Sequence, residues 1–182
     1  MAQTVPAGQD RRLEHASVLA RGTMLSSVRP AKNEAAALAS LLPRLKSAQP
    51  DAEIIVVDDG SSDDTAKLCV EHGVLVVQQP YSMGNGAAIK RGARAATGDI
   101  LVFLDSDGQH DPMLIDCLLA RLYQGFDMVV GARDWSGQAG VSRGLANTLY
   151  NWLASRMTDF EVKDLTSGFR AVRADKFREF LH

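Results

Sequence analysis

Short apolar runs alternate with stretches of helical periodicity along most of this 182-residue chain. The apolar runs predict five strands, at residues 23–29, 53–57, 74–78, 99–104 and 127–131. Helical patterns lie between them, beginning with one from about Asn33 to Ser47 whose leucines recur at helical spacing. This repeated alternation predicts an α/β fold, in which a mainly parallel sheet carries helices on both faces.

Two prolines and a change of pattern set further boundaries. Pro30 is expected to end the first strand and Pro43 to kink or loosen the first helix, because proline lacks a backbone N–H. Beyond the fifth strand, the pattern predicts an amphipathic helix at 141–157, a possible edge strand at 160–163 and a final strand at 169–172. The apolar stripe of the 141–157 helix suits either the core or a membrane surface, and the core is favoured.

Charge and length limit the functional classes that remain. With 20 Lys and Arg against 22 Asp and Glu, the chain has no basic field to attract nucleic acid. No apolar run approaches the roughly 18 residues of a membrane span, which predicts a cytoplasmic chain, or one peripheral to the cytoplasmic face of a membrane. Residues 1–22 are expected to form a flexible leader to one domain at 23–182. Cys69 and Cys117 are expected to be buried thiols.

Acidic residues follow three of the predicted strands. Glu34 lies just beyond the first, Asp58 and Asp59 end the second, and Asp105 and Asp107 end the fourth. The carboxyl ends of parallel strands lie along one edge, so the three clusters are expected to converge on one crevice. Mg²⁺ or Mn²⁺ arriving with a nucleoside diphosphate would neutralise this charge, because carboxylates and phosphate oxygens hold such ions. Asp58 and Asp59 would then be free to accept hydrogen bonds from a base or ribose.

Each cluster taken alone also has a plain structural interpretation. Asp-Gly-Ser after a strand, as at residues 59–61, is a common turn and helix cap. Gly86 lies in a glycine-bearing loop of the kind that marks turns more often than phosphate sites, and Lys90 is by default a solvated helix lysine. The Asp105-Ser106-Asp107 pair after an apolar run is a more specific signal. Together, in this order on one sheet edge, the clusters favour a nucleotide site that includes Gly86 and Lys90.

Five segments together resemble a known enzyme family. They are Pro30-Ala31-Lys32-Asn33-Glu34, Asp58-Asp59-Gly60-Ser61-Ser62-Asp63, Gly84-Asn85-Gly86-Ala87-Ala88, the run from Asp105 to Pro112, and Ser167-Gly168-Phe169-Arg170. This set resembles the family 2 inverting glycosyltransferases of the GT-A fold over about residues 24–175. Within the family it is most similar to the polyprenyl-phosphate (dolichyl- or undecaprenyl-phosphate) hexosyltransferases. The resemblance implies a UDP- or GDP-sugar donor, Mg²⁺ or Mn²⁺, and a polyprenyl phosphate acceptor.

The resemblance also implies roles for individual residues. Nucleotide contacts are implied for Pro30, Glu34 and Asp59. Metal ligands are implied at Asp105, Asp107 and Gln109, with Asp107 as the main one. Arg133 and Arg143 would meet anionic phosphates of donor or acceptor, a task for which arginine is suited. Asp164 and Arg170 would lie on the acceptor side.

The acceptor decides whether a protein base is needed. A lipid monophosphate has a second pKa of about 6, so it can attack the sugar as a dianion without a protein base. A sugar hydroxyl, as in polysaccharide synthesis, would need a carboxylate base, for which Asp164 and Asp111 are the candidates. His110 is a tempting base, but a polar residue at a helix entry is the favoured interpretation.

Two departures from the family pattern carry expectations. Arg29 takes a strand position where the family usually has an aliphatic residue, which predicts a more exposed strand end or a different register. The chain also ends sooner than family members, as a truncated domain would, so nucleotide binding without transfer stays an alternative. A haloacid-dehalogenase-like phosphatase also has Asp-x-Asp after a strand, but the two βα units ahead of Asp105 argue against it.

Overall fold

The computed structural model describes residues 23–105, 111–131 and 167–181. Within these ranges the strands are β1 (Leu25–Ala31), β2 (Glu53–Asp58), β3 (Leu75–Gln78), β4 (Ile100–Phe103), β5 (Met128–Val130) and β6 (Arg170–Arg173). The α-helices are α1 (Ala35–Ala48), α2 (Thr65–Glu71), α3 (Asn85–Ala95), α4 (Ile115–Leu122) and α5 (Ala174–Arg178), with a 3-10 turn at Pro112–Leu114 before α4. The strands predicted in these ranges are therefore present, with ends displaced by at most two residues.

The strands form one sheet in the order β3-β2-β1-β4-β6-β5. The β1 strand pairs in parallel with β2 and β4, and β2 pairs in parallel with β3. The β6 strand is antiparallel to both of its neighbours, β4 and β5. The sheet is mainly parallel, as predicted, but the sequence did not indicate that its last strand would lie between β4 and β5. Strand order reverses between β1 and β4, the kind of position where open α/β sheets bind ligands.

Two apolar layers flank the sheet, so the prediction of helices on both faces is confirmed. One layer contains buried side chains of α1, α2 and α4, and the other contains those of α3 and α5. The α3 helix lies very close to the sheet, because a Cβ added at Gly92 would be 2.3 Å from Val28 Cγ1 and 2.8 Å from Val57 Cγ2. Glycine at this position allows the helix to pack directly on β1 and β2.

Pro30 does not end β1, contrary to the prediction. It lies within the strand, opposite Val57 of β2. The Val28 carbonyl accepts the Leu104 N–H on the β4 side, and the alternation of a strand turns the Pro30 backbone to that same side. Pairing with β4 has ended by then, at Phe103. The N–H that proline lacks therefore costs no hydrogen bond of the sheet.

Arg29 neither exposes the end of β1 nor changes its register, so both expectations for it are wrong. Its side chain is 0% exposed, and pairing with β2 continues regularly as far as Ala31.

The helix α1 continues through Pro43 and ends at Ala48, so Pro43 lies inside the helix.

The two cysteines differ in exposure. Cys69 is buried, as predicted, whereas Cys117 is exposed, which corrects the prediction for that residue. The α4 helix turns its leucine-rich side, including Leu118 and Leu119, toward the core, and Cys117 lies off that side.

Several predictions fall outside the described residues. They concern the leader at 1–22, the helix at 141–157 and the edge strand at 160–163. Among the helices of the described ranges, none has the length and hydropathy needed to cross a bilayer.

Candidate functional site

The carboxyl ends of the parallel strands lie along one edge of the sheet, and the predicted acidic residues lie at that edge. The register places Ala31 of β1 opposite Asp58 of β2, and Asp58 opposite Gln78 of β3. Asp59 follows directly, and its N–H donates to the Ala31 carbonyl at 2.9 Å. Asp105 comes just after β4 at the same edge. The sheet therefore brings the predicted clusters to one edge, beside the reversal of strand order.

The loop after β2 caps the start of α1, where Glu34 lies. Three consecutive N–H groups donate to side chains of this loop or of the first residue of α2: Asn33 to Ser61 Oγ at 2.9 Å, Glu34 to Thr65 Oγ1 at 3.0 Å, and Ala35 to Asp63 Oδ2 at 3.2 Å. Asp63 also binds the start of α2, since its Oδ1 accepts the Thr65 N–H at 3.0 Å. The turn-and-cap interpretation is thus correct for part of this loop. The same contacts fix the backbone of Glu34 beside the edge.

Asp59 organises the segment before α3. Its buried carboxylate accepts the Ser82 hydroxyl at 2.7 Å, the Met83 N–H at 2.7 Å and the Gly84 N–H at 3.0 Å. Burial opposes ionisation of Asp59, but these hydrogen bonds and the charge of Lys32 outweigh it and hold its pKa below the ordinary value. Asp59 is therefore a stable anion that ties the end of β2 to the loop before α3.

Asp58 is engaged in a similar way. It is buried, and its Oδ1 accepts the Ser61 N–H at 2.9 Å while its Oδ2 faces the Gln78 side-chain amide at 3.4 Å. Both carboxylates, which were expected to accept hydrogen bonds from a base or ribose, therefore already bind protein donors. A ligand can use only the acceptor capacity that these bonds leave.

Gly86 and Lys90 lie on the first turns of α3, at the same edge. They are four residues apart, so they share one face of the helix, and both are exposed. A Cβ added at Gly86 would meet no atom within 4 Å, so protein packing does not demand glycine there. Gly84 does need its glycine conformation, with a φ of 88°, at the turn into α3. The positive end of α3 and the Lys90 side chain are together suited to an anion.

Asp105 makes two contacts that sequence reasoning missed. Arg29 Nη2 donates to the Asp105 carbonyl at 2.9 Å. The Asp105 carboxylate lies against Gly168, where an added Cβ would be 2.1 Å from Oδ2. Gly168 reaches this place because β6 pairs with β4, and sequence order did not predict that pairing. The one available signal was Arg29 itself, a charged residue inside an otherwise uncharged strand.

The donor set around Asp105 suits a hard divalent cation. In the part of the chain that the structure describes, no group donates a hydrogen bond to the partly exposed Asp105 carboxylate. That part also contains no group of three or more acidic, histidine or cysteine side chains placed to bind a metal. Asp107 and Gln109 lie outside it. Oxygen donors of the kinds that these three residues carry are those that Mg²⁺ and Mn²⁺ prefer, so the residues fit such an ion.

The remaining predicted residues divide into two groups. Outside the described ranges lie Asp107, Gln109, Arg133, Arg143 and Asp164, whose roles stay predictions. Within them, Arg170 lies in β6, and its Nη2 donates to the Ser167 carbonyl at 2.9 Å. Asp111 Oδ1 accepts from Arg44 Nη2 at 3.2 Å and from the Met113 N–H at 3.1 Å, so Asp111 caps the 3-10 turn before α4.

Comparison with known families identifies the class of protein. A model of the family described as "Glycosyl transferase family 2" matches residues 26–181. The chain belongs to glycosyl transferase family 2. The matched range runs from β1 to the end of the described residues, so this family 2 domain includes the whole acidic edge. The family resemblance noted in the sequence is confirmed.

Characterised relatives are similar along most of the chain. An undecaprenyl-phosphate mannosyltransferase from Micrococcus luteus is 32% identical over an alignment of 161 residues, and the match covers 82% of this chain and 66% of the relative. An undecaprenyl-phosphate 4-deoxy-4-formamido-L-arabinose transferase from Pseudomonas fluorescens is 35% identical over an alignment of 160 residues, and the match covers 82% of this chain and 46% of that protein. The chain therefore spans about half to two thirds of the length of these relatives.

Solved structures confirm the predicted GT-A fold. Glucosyl-3-phosphoglycerate synthase from Mycobacterium tuberculosis in complex with uridine diphosphate has a TM-score of 0.76 and 26% identity, over 94% of this chain and 64% of the other. A structure of that enzyme with Mn²⁺, uridine diphosphate and glucosyl-3-phosphoglycerate has a TM-score of 0.75, with the same identity and coverage. The α/β architecture is thus shared with nucleotide-binding glycosyltransferases.

Proposed function

We propose that this family 2 glycosyltransferase transfers a hexose, with inversion, from a UDP- or GDP-sugar to a polyprenyl phosphate, using Mg²⁺ or Mn²⁺. The observation that carries the proposal is the set of carboxylates at one sheet edge, from Glu34 to Asp58, Asp59 and Asp105, beside the reversal of strand order. Such an edge suits a nucleoside diphosphate that arrives with a cation. The undecaprenyl-phosphate transferases among the relatives support the choice of acceptor.

The donor would lie along this edge. Nucleotide contacts are proposed for Pro30, Glu34, Asp58 and Asp59, and contacts with the diphosphate for Gly86 and Lys90. Asp105, Asp107 and Gln109 would hold the divalent ion, with Asp107 as its main ligand. When bound, the ion would supply positive charge to the diphosphate oxygens of the leaving group. Crystals of the Mycobacterium tuberculosis synthase with Mn²⁺ and uridine diphosphate support this type of site.

The reaction we propose needs no protein base. The lipid phosphate is largely dianionic at neutral pH, because its second pKa is about 6. One of its oxygens forms a bond to the anomeric carbon while the bond to the nucleoside diphosphate breaks, so the configuration inverts. Arg133 and Arg143 would pair with the two phosphate groups and let them approach each other, and Asp164 would lie on the acceptor side. Such electrostatic stabilisation is worth roughly several kcal/mol.

A second candidate is transfer to a small phosphorylated acceptor. Two of the glucosyl-3-phosphoglycerate synthase structures match 94% of this chain, whereas the two curated transferases match 82%. Transfer to a sugar hydroxyl is less favoured. It needs a carboxylate base, and the Asp111 carboxylate is already bound to Arg44 and to the turn before α4. If the reaction used a hydroxyl, Asp164 would have to be that base.

Binding and transfer are tested separately. Thermal unfolding is followed with UDP, GDP and their hexose conjugates, each with and without Mg²⁺ or Mn²⁺, because a ligand that binds the native state raises Tm. Transfer is then assayed with a short polyprenyl phosphate and with 3-phosphoglycerate. Metal-dependent transfer to the lipid phosphate supports the proposal. Transfer to 3-phosphoglycerate alone favours the second candidate, and binding without transfer leaves a nucleotide-binding domain.

Asp107→Ala tests the metal assignment. We expect it to abolish the metal-dependent part of donor binding without unfolding the domain, because Asp107 is the proposed main ligand. The control is Asp51→Ala, which removes an exposed carboxylate from the turn before β2, at the opposite edge of the sheet. Undiminished metal-dependent binding by Asp107→Ala would refute the assignment.

A further inference from the structure

Arg29 is a fully buried arginine at the point where strand order reverses. It lies in β1, which pairs with both β2 and β4, and its side chain is 0% exposed. Arginine is almost never fully buried unless it is paired, because its charge loses hydration there. A group that Arg29 binds among the described residues therefore indicates a role for this position.

Arg29 holds the chain just beyond β4. Backbone pairing of β1 with β4 ends at Val28 and Phe103, followed by a bond of 3.4 Å from the Leu104 N–H to the Val28 carbonyl. Asp105 lies beyond that bond, and its carbonyl accepts from Arg29 Nη2 at 2.9 Å. The guanidinium thus adds one more hydrogen bond between β1 and the chain after β4, at the carbonyl of Asp105. That residue begins the predicted metal-binding segment.

Gly168 borders Asp105 from the β6 side. A Cβ at this position would be 2.1 Å from Asp105 Oδ2 and 2.4 Å from both Cγ and Oδ1, so only glycine leaves room for the carboxylate. The neighbouring Ser167 is buried, and its hydroxyl donates to the Gly131 carbonyl at 2.6 Å, which fixes the backbone here. Asp105 is therefore held at its carbonyl by Arg29 of β1 and bordered at its carboxylate by Gly168, in the segment before β6.

We propose that Arg29 is a positioning residue for the metal site and that, together with the wall formed by Gly168, it sets the Asp105 carboxylate in place. The inference rests on the proposed function, in which Asp105 and Asp107 hold Mg²⁺ or Mn²⁺. Such ions demand oxygen ligands at near-ideal distances, so a ligand that shifts by a fraction of an ångström binds less well. Groups that orient metal ligands typically change metal affinity roughly 10- to 100-fold when they are removed.

The test measures Mn²⁺ affinity by electron paramagnetic resonance, on the full chain with saturating UDP or GDP. Arg29→Met keeps a long side chain but has no donor, and we expect its Mn²⁺ Kd to rise about 10- to 100-fold. Nucleotide affinity without metal should stay at the parent value. Arg29→Lys keeps a charged donor group and should recover part of the loss.

Ser27→Ala is the matched control. Ser27 is fully buried in the same strand, and it lies two residues from Arg29, so it is on the same face of the sheet. It pairs with Val102 rather than with the segment after β4. The Mn²⁺ affinity of the Ser27→Ala variant should equal that of the parent. This result would separate the positioning of Asp105 from a general disturbance of β1.

A folded Arg29→Met variant with the parent Mn²⁺ affinity would overturn the inference. Should that variant fail to fold, Arg29→Lys and Gly168→Ala replace it. Weaker Mn²⁺ binding by both folded variants supports the inference, and parent affinity in both overturns it. If the unsubstituted chain binds nucleotide but no Mn²⁺, the metal part of the proposed function fails and this inference fails with it. If the unsubstituted chain binds Mn²⁺, a negative result for the variants counts against Arg29 alone.

Discussion

Asp59→Asn is expected to destabilise the domain by about 2 to 4 kcal/mol at pH 7. The 6%-exposed carboxylate accepts three hydrogen bonds, two of them at Oδ2, from the Ser82 hydroxyl and the Gly84 N–H. In asparagine one oxygen becomes an NH₂ donor. The Ser82 hydroxyl can rotate to accept from it, but the Gly84 N–H cannot. The loss of one bond to a charged group, typically about 1.5–3 kcal/mol, and the weakening of the others give this magnitude.

The assay is urea unfolding followed by circular dichroism, with the slope against urea used to check that only stability has changed. Asp99→Asn is the control, because that exposed carboxylate accepts one N–H among the described residues, from Met24 at 2.9 Å. We expect the control to cost less than about 1 kcal/mol. A cost for Asp59→Asn that is no larger than that of the control would refute the assignment of Asp59 as the anchor of residues 82–84.

The pH dependence gives an independent check. The pKa of Asp59 is lowered in the folded state, because its hydrogen bonds and Lys32 outweigh the effect of burial. A lowered folded pKa contributes stability above the unfolded pKa of about 3.9, and this stability is lost as pH falls through the folded pKa. The difference in the free energy of unfolding between the parent and Asp59→Asn should therefore be constant from about pH 5 to 7 and become smaller below about pH 4. A difference that grows as the pH falls would contradict the sign of the shift.

Two further predictions concern packing and thiol reactivity. Gly92→Ala should lower stability by about 1–3 kcal/mol in urea unfolding, because its Cβ would overlap Val28 and Val57. The control Gly86→Ala, on the same helix but in open space, should be neutral or stabilising by up to about 1 kcal/mol, and equal effects would contradict the close packing of α3. Native protein at pH 8 should react rapidly with a thiol reagent at the exposed Cys117 only, since burial and Asp58 raise the pKa of Cys69 to about 11. Two rapidly reacting thiols would disprove this assignment.

Local sequence was sufficient for most of the fold, because the main signals act over a few residues. Unbroken apolar runs specify strands that are buried on both faces, as Ile100–Phe103 shows. Asp63 and Asp111 each accept an N–H two residues ahead, a contact that depends only on neighbouring residues. The prediction that Pro30 ends β1 was wrong, because a proline interrupts a strand only where the neighbouring strand needs its N–H, and pairing with β4 ends before residue 30.

The candidate site depends more strongly on contacts between distant parts of the chain. The acidic residues could be assigned to one edge because the direction of parallel strands fixes where their carboxyl ends lie. The partners of those residues were not predictable: Ser82 and Gly84 bind Asp59 from 23 and 25 residues away, and Arg29 binds Asp105 from 76 residues away.

The sequence by itself determined the family, the alternation of strand and helix, and the meeting of Glu34, Asp58, Asp59 and Asp105 at one edge, because each follows from local pattern and strand direction. Only the tertiary structure decided that β6 lies between β4 and β5, and this placement brings Gly168 against Asp105. The tertiary structure also decided that Arg29 is buried at the reversal of strand order instead of exposed at a strand end. Strand insertion and burial are set by packing over the whole sheet, which no local stretch of sequence records.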